Sequence, residues 1–181
     1  VMELPTYRLP TLKSTMLHMW DKCKGFLIKA GTIIFSMSIL VWILQNFSFS
    51  LQMVDDSSAS MFGQIGAFIA PIFVPLGFGT WQASVSLLSG VVAKEAVVTT
   101  MSVLYGAGGA ALQTALAGAF TPLSAYSFMV FSLLYMPCIS AFVSIRREMN
   151  SLKWALATAA METGVAYVVA LLVYQIGSLF V

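Results

Sequence analysis

Residues 85–105, VSLLSGVVAKEAVVTTMSVLY, form an apolar run that is long enough to cross a bilayer but carries Lys94 and Glu95 near its middle. A charged side chain at the centre of such a helix costs about 2.5–3.5 kcal/mol on insertion scales. Adjacent residues on a helix do not face each other, so the two charges cannot simply neutralise one another. Each charge therefore needs its own polar partner, and the run predicts a membrane segment with a polar centre.

The composition of the 181-residue chain places this run in a membrane protein. Hydrophobic residues make up 59% of the sequence and charged residues 9%, whereas soluble domains carry roughly 25% charged residues. The apolar runs do not alternate as the strands of a membrane β-barrel do, and the formal net charge of +2 is too small to indicate nucleic acid binding. We therefore predict an all-α, polytopic transmembrane helical bundle.

Five apolar segments predict the membrane-spanning part of the chain, at residues 25–47, 63–79, 81–105, 126–145 and 154–181. The second segment contains Pro71, Pro75 and four glycines, which predicts a discontinuous or re-entrant helix. Such a helix is tolerated at membrane depth only where protein or a cavity shields it. We expect it to form a hairpin with the segment that carries Lys94. The last segment contains Glu162, whose role the sequence leaves open.

The first 24 residues differ from these spans. Pro5 and Pro10 predict an extended lead-in. From Leu12 onward apolar residues recur at helical spacing, with a basic opposite face, which predicts an amphipathic helix lying in the membrane interface. A soluble helix facing a partner is the alternative. The chain begins at Val1, without an initiator Met or a signal peptide, which predicts a piece of a longer protein.

The basic residues predict the orientation of the chain. They cluster before the first span and in the loop before the last span: Arg8, Lys13, Lys22, Lys24, Lys29, Arg146, Arg147 and Lys153. The loop at 48–62 contains Asp55 and Asp56 and no Lys or Arg. Because basic residues mark the cytoplasmic side, we expect the N-terminal end to be cytoplasmic.

Two groups of residues are candidates for an ion path. On a continuous helix Glu95 would share a stripe with Ser84, Thr99 and Ser102, which predicts a polar seam. The alternative is that Lys94 and Glu95 are structural and pinned to carbonyls or to another helix.

The second group surrounds Cys138. Pro137 lies inside a predicted span and frees a backbone carbonyl near residue 133 or 134. A thiolate, this carbonyl and the thioethers of Met129 and Met136 suit a transition metal better than Na⁺ or Ca²⁺. The alternative is simple packing, since a membrane Cys and Met also fill space.

Patterns for enzymatic chemistry are absent from the sequence. The chain has no GxxxxGK[ST] phosphate-binding loop, no HExxH zinc motif and no nucleophile–base set. Cys23 and Cys138 make no disulfide framework. We predict that the chain is not itself an enzyme.

Four stretches, in order, resemble the C-terminal membrane region of the bacterial ferrous iron transport protein B family. They are MELPTYRLPT (2–11), PLGFGTWQASVSLLSGVVAKEAVVTT (75–100), FTPLSAYSFMVFSLLYMPC (120–138) and LVYQIG (172–177). In that family a cytoplasmic GTP-binding domain precedes a membrane region built around two related gate segments. The resemblance implies that residues 25–181 form the second gate and the segments after it, and that the GTPase domain and the first gate lie elsewhere in a longer protein.

The resemblance also implies a function, namely Fe²⁺ uptake across the bacterial inner membrane, linked to GTP hydrolysis with Mg²⁺ in the other domain. The family's Ala-Lys-Glu and Pro-Cys motifs fall on Ala93–Glu95 and Pro137–Cys138. We expect a transport path at Lys94, Glu95, Thr99 and Cys138, with Cys138, Glu95 and Met136 as metal ligands. A nucleoside-type or other small-solute carrier and a non-transporting membrane scaffold are the alternatives, and a homo-oligomer stays open.

Overall fold

A computed structural model describes residues 11–50, 52–54, 57–106 and 108–180, without the side chains of residues 26, 29, 30, 33 and 34. The predicted lead-in at 1–10 lies outside the described residues. Within them the chain forms the helices α1 Leu12–Asn46, α2 Met61–Phe73, α3 Trp81–Val92, α4 Ala96–Leu104, α5 Ala110–Ala119, α6 Pro122–Leu134, α7 Ile139–Met149 and α8 Leu152–Gly177, with a 3₁₀ turn at Val74–Leu76. The predicted all-α class is confirmed.

Helix α1 runs without interruption from Leu12 to Asn46. Its large apolar side chains, including Trp20, Phe35 and Trp42, are exposed, which is the surface expected of a helix that faces lipid or another membrane segment. The helix continues through residues 24 and 25, so no change of structure marks the predicted junction between an interfacial helix and a span. That division stays a prediction.

The chain breaks between α2 and α3, as predicted for residues 63–79. Pro71 lies in the last turn of α2, the 3₁₀ turn comes next, and the two arms are bent by 103°. Gly77 makes the turn with a φ of 86°, where a Cβ would also collide with the ring of Tyr174. The hydroxyl of Thr80 then accepts a hydrogen bond from the N–H of Ala83 at 3.3 Å and starts α3.

A second break, at residues 93–95, separates α3 from α4. The sequence predicts one helix over 81–105, and the structure divides it. Ala93 is extended, with φ −150° and ψ 124°. Because the chain changes direction there, the expected continuous stripe from Ser84 to Thr99 does not form. Lys94 and Glu95 lie in the break rather than on a helix face.

A third break, at residues 135–138, separates α6 from α7 within the predicted span at 126–145. Helix α6 begins with Pro122 and is capped by the hydroxyl of Thr121, which accepts from the N–H of Ser124 at 3.2 Å. Pro137 cannot donate the backbone bond that would continue the helix. The whole segment Pro122–Met149 is still long and apolar enough to cross a membrane.

Two segments of the described chain have the length and composition of membrane spans, Pro122–Met149 and Leu152–Gly177. The bent pair formed by Met61–Leu76 and Trp81–Val92 adds a third if it counts as one span.

Aromatic rings fill the core between α3, α6 and the 3₁₀ turn. Phe78 is 1% exposed and contacts Phe73, Phe128 and Phe131. Helix α8 approaches this core through a stripe of buried alanines, Ala155, Ala159, Ala166 and Ala170. Small residues let helices pack closely in membranes, and the Ser127 hydroxyl of α6 donates to the carbonyl of Ala170 at 3.2 Å.

Candidate functional site

The breaks at 93–95 and 135–138 meet through the side chain of Lys94. Its Nζ donates to the carbonyl oxygen of Leu133 at 2.9 Å and lies 5.2 Å from the centre of the Tyr135 ring. Leu133 stands four residues before Pro137, so its carbonyl is the acceptor that the proline leaves free. The predicted free carbonyl is therefore confirmed, and Lys94 has a polar partner of its own.

Tyr135 fixes the position of this contact. Its side chain is 5% exposed, and its hydroxyl donates to the carbonyl of Leu87 on α3 at 3.2 Å. Gly90 gives the hydroxyl room, since a Cβ at that position would collide with it. The ring also stacks on Phe131, with ring centroids 5.6 Å apart. The break in α6–α7 is thus held against α3 on one side and against Lys94 on the other.

Cys138 lies at the far end of the same break and starts α7. Its Sγ is 3.1 Å from the Oγ of Ser140, and its carbonyl accepts from the N–H of Phe142 at 3.0 Å. The side chain is partly exposed and unbridged. Glu95 follows Lys94 in the break at 93–95, which the Lys94 side chain joins to the break at 135–138. The structure therefore brings Lys94, Glu95 and Cys138 to one region, although 43 residues separate the last two in sequence.

The other predicted site residues are placed less tightly. Thr99 is exposed on α4, one turn after Glu95, and its side chain has no hydrogen bond to the described residues. Met136 is half-buried in the unwound segment beside Cys138, whereas Met129 is exposed on α6. Among the residues that the structure describes, no group of three His, Cys, Asp or Glu is positioned to hold a metal ion.

A cavity of about 560 Å³ opens beside Lys94, between α4, α5 and α6. Its walls are mainly apolar and include Val97, Met101, Phe120 and Leu133. The sequence pattern did not predict it, because the cavity depends on how α5 is placed against the two broken helices.

Glu162 is a polar group whose environment the sequence did not reveal. It is half-buried on α8, and its Oε2 is enclosed without a hydrogen-bond partner among the described residues. The signal in the sequence was that Glu162 is the one acidic residue in the span Leu152–Gly177.

Comparison with protein families adds to this geometry. Residues 27–152 match the model of the family described as Gate: Nucleoside recognition. The chain belongs to the Gate family. Residues 1–22 of this Gate-family chain match a second model, described as Ferrous iron transport protein B C terminus. The resemblance carried by the four sequence stretches is thereby confirmed.

Curated relatives align with the Gate-family chain over almost its whole length. It is 42% identical over 181 residues to the Fe(2+) transporter FeoB of Staphylococcus aureus strain COL, covering 100% of this chain and 27% of the relative. It is 40% identical over 186 residues to the Fe(2+) transporter FeoB of Methanocaldococcus jannaschii, covering 99% and 28%.

A third relative, from Porphyromonas gingivalis, is a Fe(2+) transport protein A/Fe(2+) transporter FeoB fusion protein, 32% identical over 228 residues with 99% and 27% coverage. The chain thus spans about a quarter of the length of these relatives, at their C-terminal part. No solved structure gives a significant match.

Proposed function

We propose that this chain forms part of the path by which a longer membrane protein takes up Fe²⁺. The observation that carries the proposal is the contact of Lys94 with the carbonyl of Leu133, which joins the break that holds Lys94 and Glu95 to the break that ends at Cys138. Broken helices line ion sites in membrane transporters because their unwound ends offer backbone carbonyls that a regular helix does not. The relatives named as Fe(2+) transporters support Fe²⁺ as the substrate.

Each side chain has a distinct role in the proposed path. Glu95 supplies negative charge, and the Cys138 thiolate and Met136 thioether supply soft ligands that suit Fe²⁺ better than Na⁺ or Ca²⁺. Thr99 offers a hydroxyl on the exposed face of α4. Lys94 occupies the Leu133 carbonyl, and its charge repels a cation, so an ion reaches that oxygen only when the ammonium moves away.

The rest of the longer protein completes this function. We place the chain in the bacterial inner membrane, with its N-terminal end on the cytoplasmic side where basic residues accumulate. Hydrolysis of GTP with Mg²⁺ belongs to a separate domain of the longer protein. The partners are that domain, a first gate segment, the lipid bilayer and, where the protein oligomerises, further copies of itself.

A nucleoside carrier, which the family description raises, has less support from the geometry. The cavity beside Lys94 is apolar except for Lys94, Thr121 and Ser132. Both hydroxyls are already engaged, because Thr121 caps α6 and Ser132 donates to the carbonyl of Met129 at 3.0 Å. A nucleoside needs several free polar partners in its site.

Uptake of Fe²⁺ into proteoliposomes that contain the full-length protein tests the proposal. Cys138→Ser and Glu95→Gln are each expected to lower uptake while membrane insertion is retained. Cys23→Ser, which changes an exposed cysteine on α1, is the matched control and should transport at the wild-type rate. Unchanged uptake in both path variants would remove these residues from the path, and inhibition by nucleosides would favour the carrier.

A further inference from the structure

A buried carboxylate oxygen without a partner is expensive, and Glu162 carries one in the middle of α8. Its Oε2 has no hydrogen bond among the described residues. Enclosing an acceptor oxygen without a hydrogen bond costs about 1–3 kcal/mol, and acidic groups in membrane helices mark ion or proton pathways. Glu162 also interrupts the buried alanine stripe of α8, between Ala159 and Ala166, where another small apolar residue would pack at no such cost.

The register of the antiparallel helices places Glu162 level with the break at 135–138. On one side Ser127 of α6 bonds to Ala170 of α8, eight residues beyond Glu162. Because α6 and α8 are antiparallel, the position eight residues before Ala170 on α8 corresponds to the position eight residues after Ser127 on α6. That position is Tyr135, the first residue of the break. On the other side Thr158 of α8 contacts Met149 at the end of α7. Along α8, Glu162 lies between these two anchors, four residues after Thr158 and eight before Ala170.

Among the described side chains, no cation is paired with this carboxylate oxygen. Lys94, at the same level of the fold, is held by the carbonyl of Leu133. The basic residues of α7 and α8 are Arg146, Arg147 and Lys153, and all three lie at the loop between these helices. Lys153 is nine residues from Glu162, which is roughly 13 Å along a helix. A cation that enters the break would meet Glu162 as an uncompensated negative charge.

We propose that Glu162 is a further cation-binding residue of the path, and that Fe²⁺ meets it in a step separate from its passage by Cys138. The inference rests on the proposed function. Within the described ranges no cluster of three His, Cys, Asp or Glu gathers Glu162 and Cys138 with a further ligand of this kind, which supports two separate steps. A carboxylate is a hard oxygen ligand that can hold a divalent cation without a thiolate.

Equilibrium binding of Fe²⁺ to the purified full-length protein and uptake into proteoliposomes test the inference together. Glu162→Gln keeps the side-chain shape and removes the charge. We expect it to remove one class of bound Fe²⁺ and to lower uptake about tenfold, since interactions with a charged group are among the stronger ones. Glu162→Asp should retain part of both. Glu148→Gln, at the exposed end of α7, is the matched control and should behave as wild type.

Stability separates a ligand from a structural anchor. If Glu162 is an unpaired ligand, Glu162→Gln should leave the melting temperature of the metal-free protein unchanged or higher and should abolish the increase that Fe²⁺ produces. A lower metal-free melting temperature, or failure of the variant to fold, would overturn the inference in favour of a structural ion pair. Wild-type Fe²⁺ binding by Glu162→Gln would also overturn it.

The two proposals fail in different ways. An absence of Fe²⁺ uptake by the wild-type protein would refute the proposed function, while the binding measurement would still decide whether Glu162 holds a cation. Normal wild-type uptake with an unaffected Glu162→Gln variant would refute this inference alone. If Cys138→Ser and Glu162→Gln each lose a different class of bound Fe²⁺, the result supports two separate steps. If both variants lose the same class of bound Fe²⁺, the result contradicts two separate steps.

Discussion

The breaks after α2 and after α6 both involve a proline, but different kinds of side chain occupy their free carbonyl oxygens. In both, a membrane helix ends near a proline, and carbonyl oxygens at the helix end lack backbone partners. After α2, the Tyr167 hydroxyl donates to the carbonyl of Ile72 at 3.0 Å and the Gln175 amide donates to that of Pro75 at 3.1 Å. After α6, the freed carbonyl of Leu133 is occupied by the charged side chain of Lys94.

We propose that this difference separates a structural break from one that takes part in transport. The turn after α2 is closed by neutral groups of a single helix, α8, around the fully buried Leu76 and Phe78. The break after α6 is closed by an ammonium group on a flexible stem, which a cation can repel or replace. We therefore expect changes in the first break to alter stability and changes in the second to alter transport.

The largest expected effect on stability is at the closed break. Gly77→Ala should destabilise the protein by about 3 kcal/mol, because it combines an unfavourable positive φ with a collision against Tyr174. Thermal unfolding of the purified protein measures the loss. Gly106→Ala is the matched control, since Gly106 has a φ of 60° and no atom within 4 Å of a Cβ, and its cost should be about 1 kcal/mol. Equal losses in both variants would rule out the contact with Tyr174 as the cause.

Removal of the Lys94 charge is expected to affect both stability and permeation. Lys94→Gln should cost about 2 kcal/mol, the value of a hydrogen bond to a charged group. It should also raise the leak of Fe²⁺ into proteoliposomes in the absence of GTP, because no ammonium group then occupies the carbonyl of Leu133 or repels the cation. Lys153→Gln, at the exposed start of α8, provides the control. A leak that stays at the wild-type level would contradict the proposal that Lys94 excludes Fe²⁺ from this carbonyl.

Two tyrosines allow the same change to be made at each break. Tyr167→Phe removes the bond to Ile72, and Tyr135→Phe removes the bond to Leu87. Each should lower stability by about 1 kcal/mol. Uptake of Fe²⁺ should fall several-fold in Tyr135→Phe alone, because only that hydroxyl positions the site beside Lys94. Equal uptake of Fe²⁺ in the two variants would refute the proposed difference in role between the two breaks.

The smallest effect on stability is expected at Glu95, which is exposed. Glu95→Gln should change the free energy of unfolding by less than about 0.5 kcal/mol, as surface substitutions usually do, while uptake falls. Chemical or thermal unfolding, run beside the uptake assay, checks this separation. A large loss of stability would assign Glu95 a structural role instead.

The sequence predicted the break after α2 and a freed carbonyl beside Pro137, but not the interruption of the span at 126–145. Pro71 and Pro75 mark the turn after α2, and Pro137 identified the carbonyl to which Lys94 donates. The break at 93–95 was not predicted, because VVAKEAVV contains neither proline nor glycine and its central AKEA consists of good helix formers. Contacts distant in sequence, between Lys94 and Leu133 and between Tyr135 and Leu87, hold that break open.

The candidate site was also predicted only in part. Lys94, Glu95 and Cys138 could be found because charge and a proline-linked thiol stand out in an apolar sequence. Their grouping, the cavity beside Lys94 and the enclosed oxygen of Glu162 depend on how helices distant in sequence pack, which local patterns do not encode. The roles of all five site residues, Lys94, Glu95, Thr99, Met136 and Cys138, stay predictions.

Helix α8 passes beside both kinds of break. Tyr167 and Gln175 tie it to the turn after α2, and Glu162 lies only five residues from Tyr167, a rise of roughly 7.5 Å along a stiff rod. An axial slide or rotation of α8 would therefore displace the Glu162 carboxylate and the turn after α2 at the same time. Any force that the rest of the protein applies to α8 would reach the ion and the distant turn together.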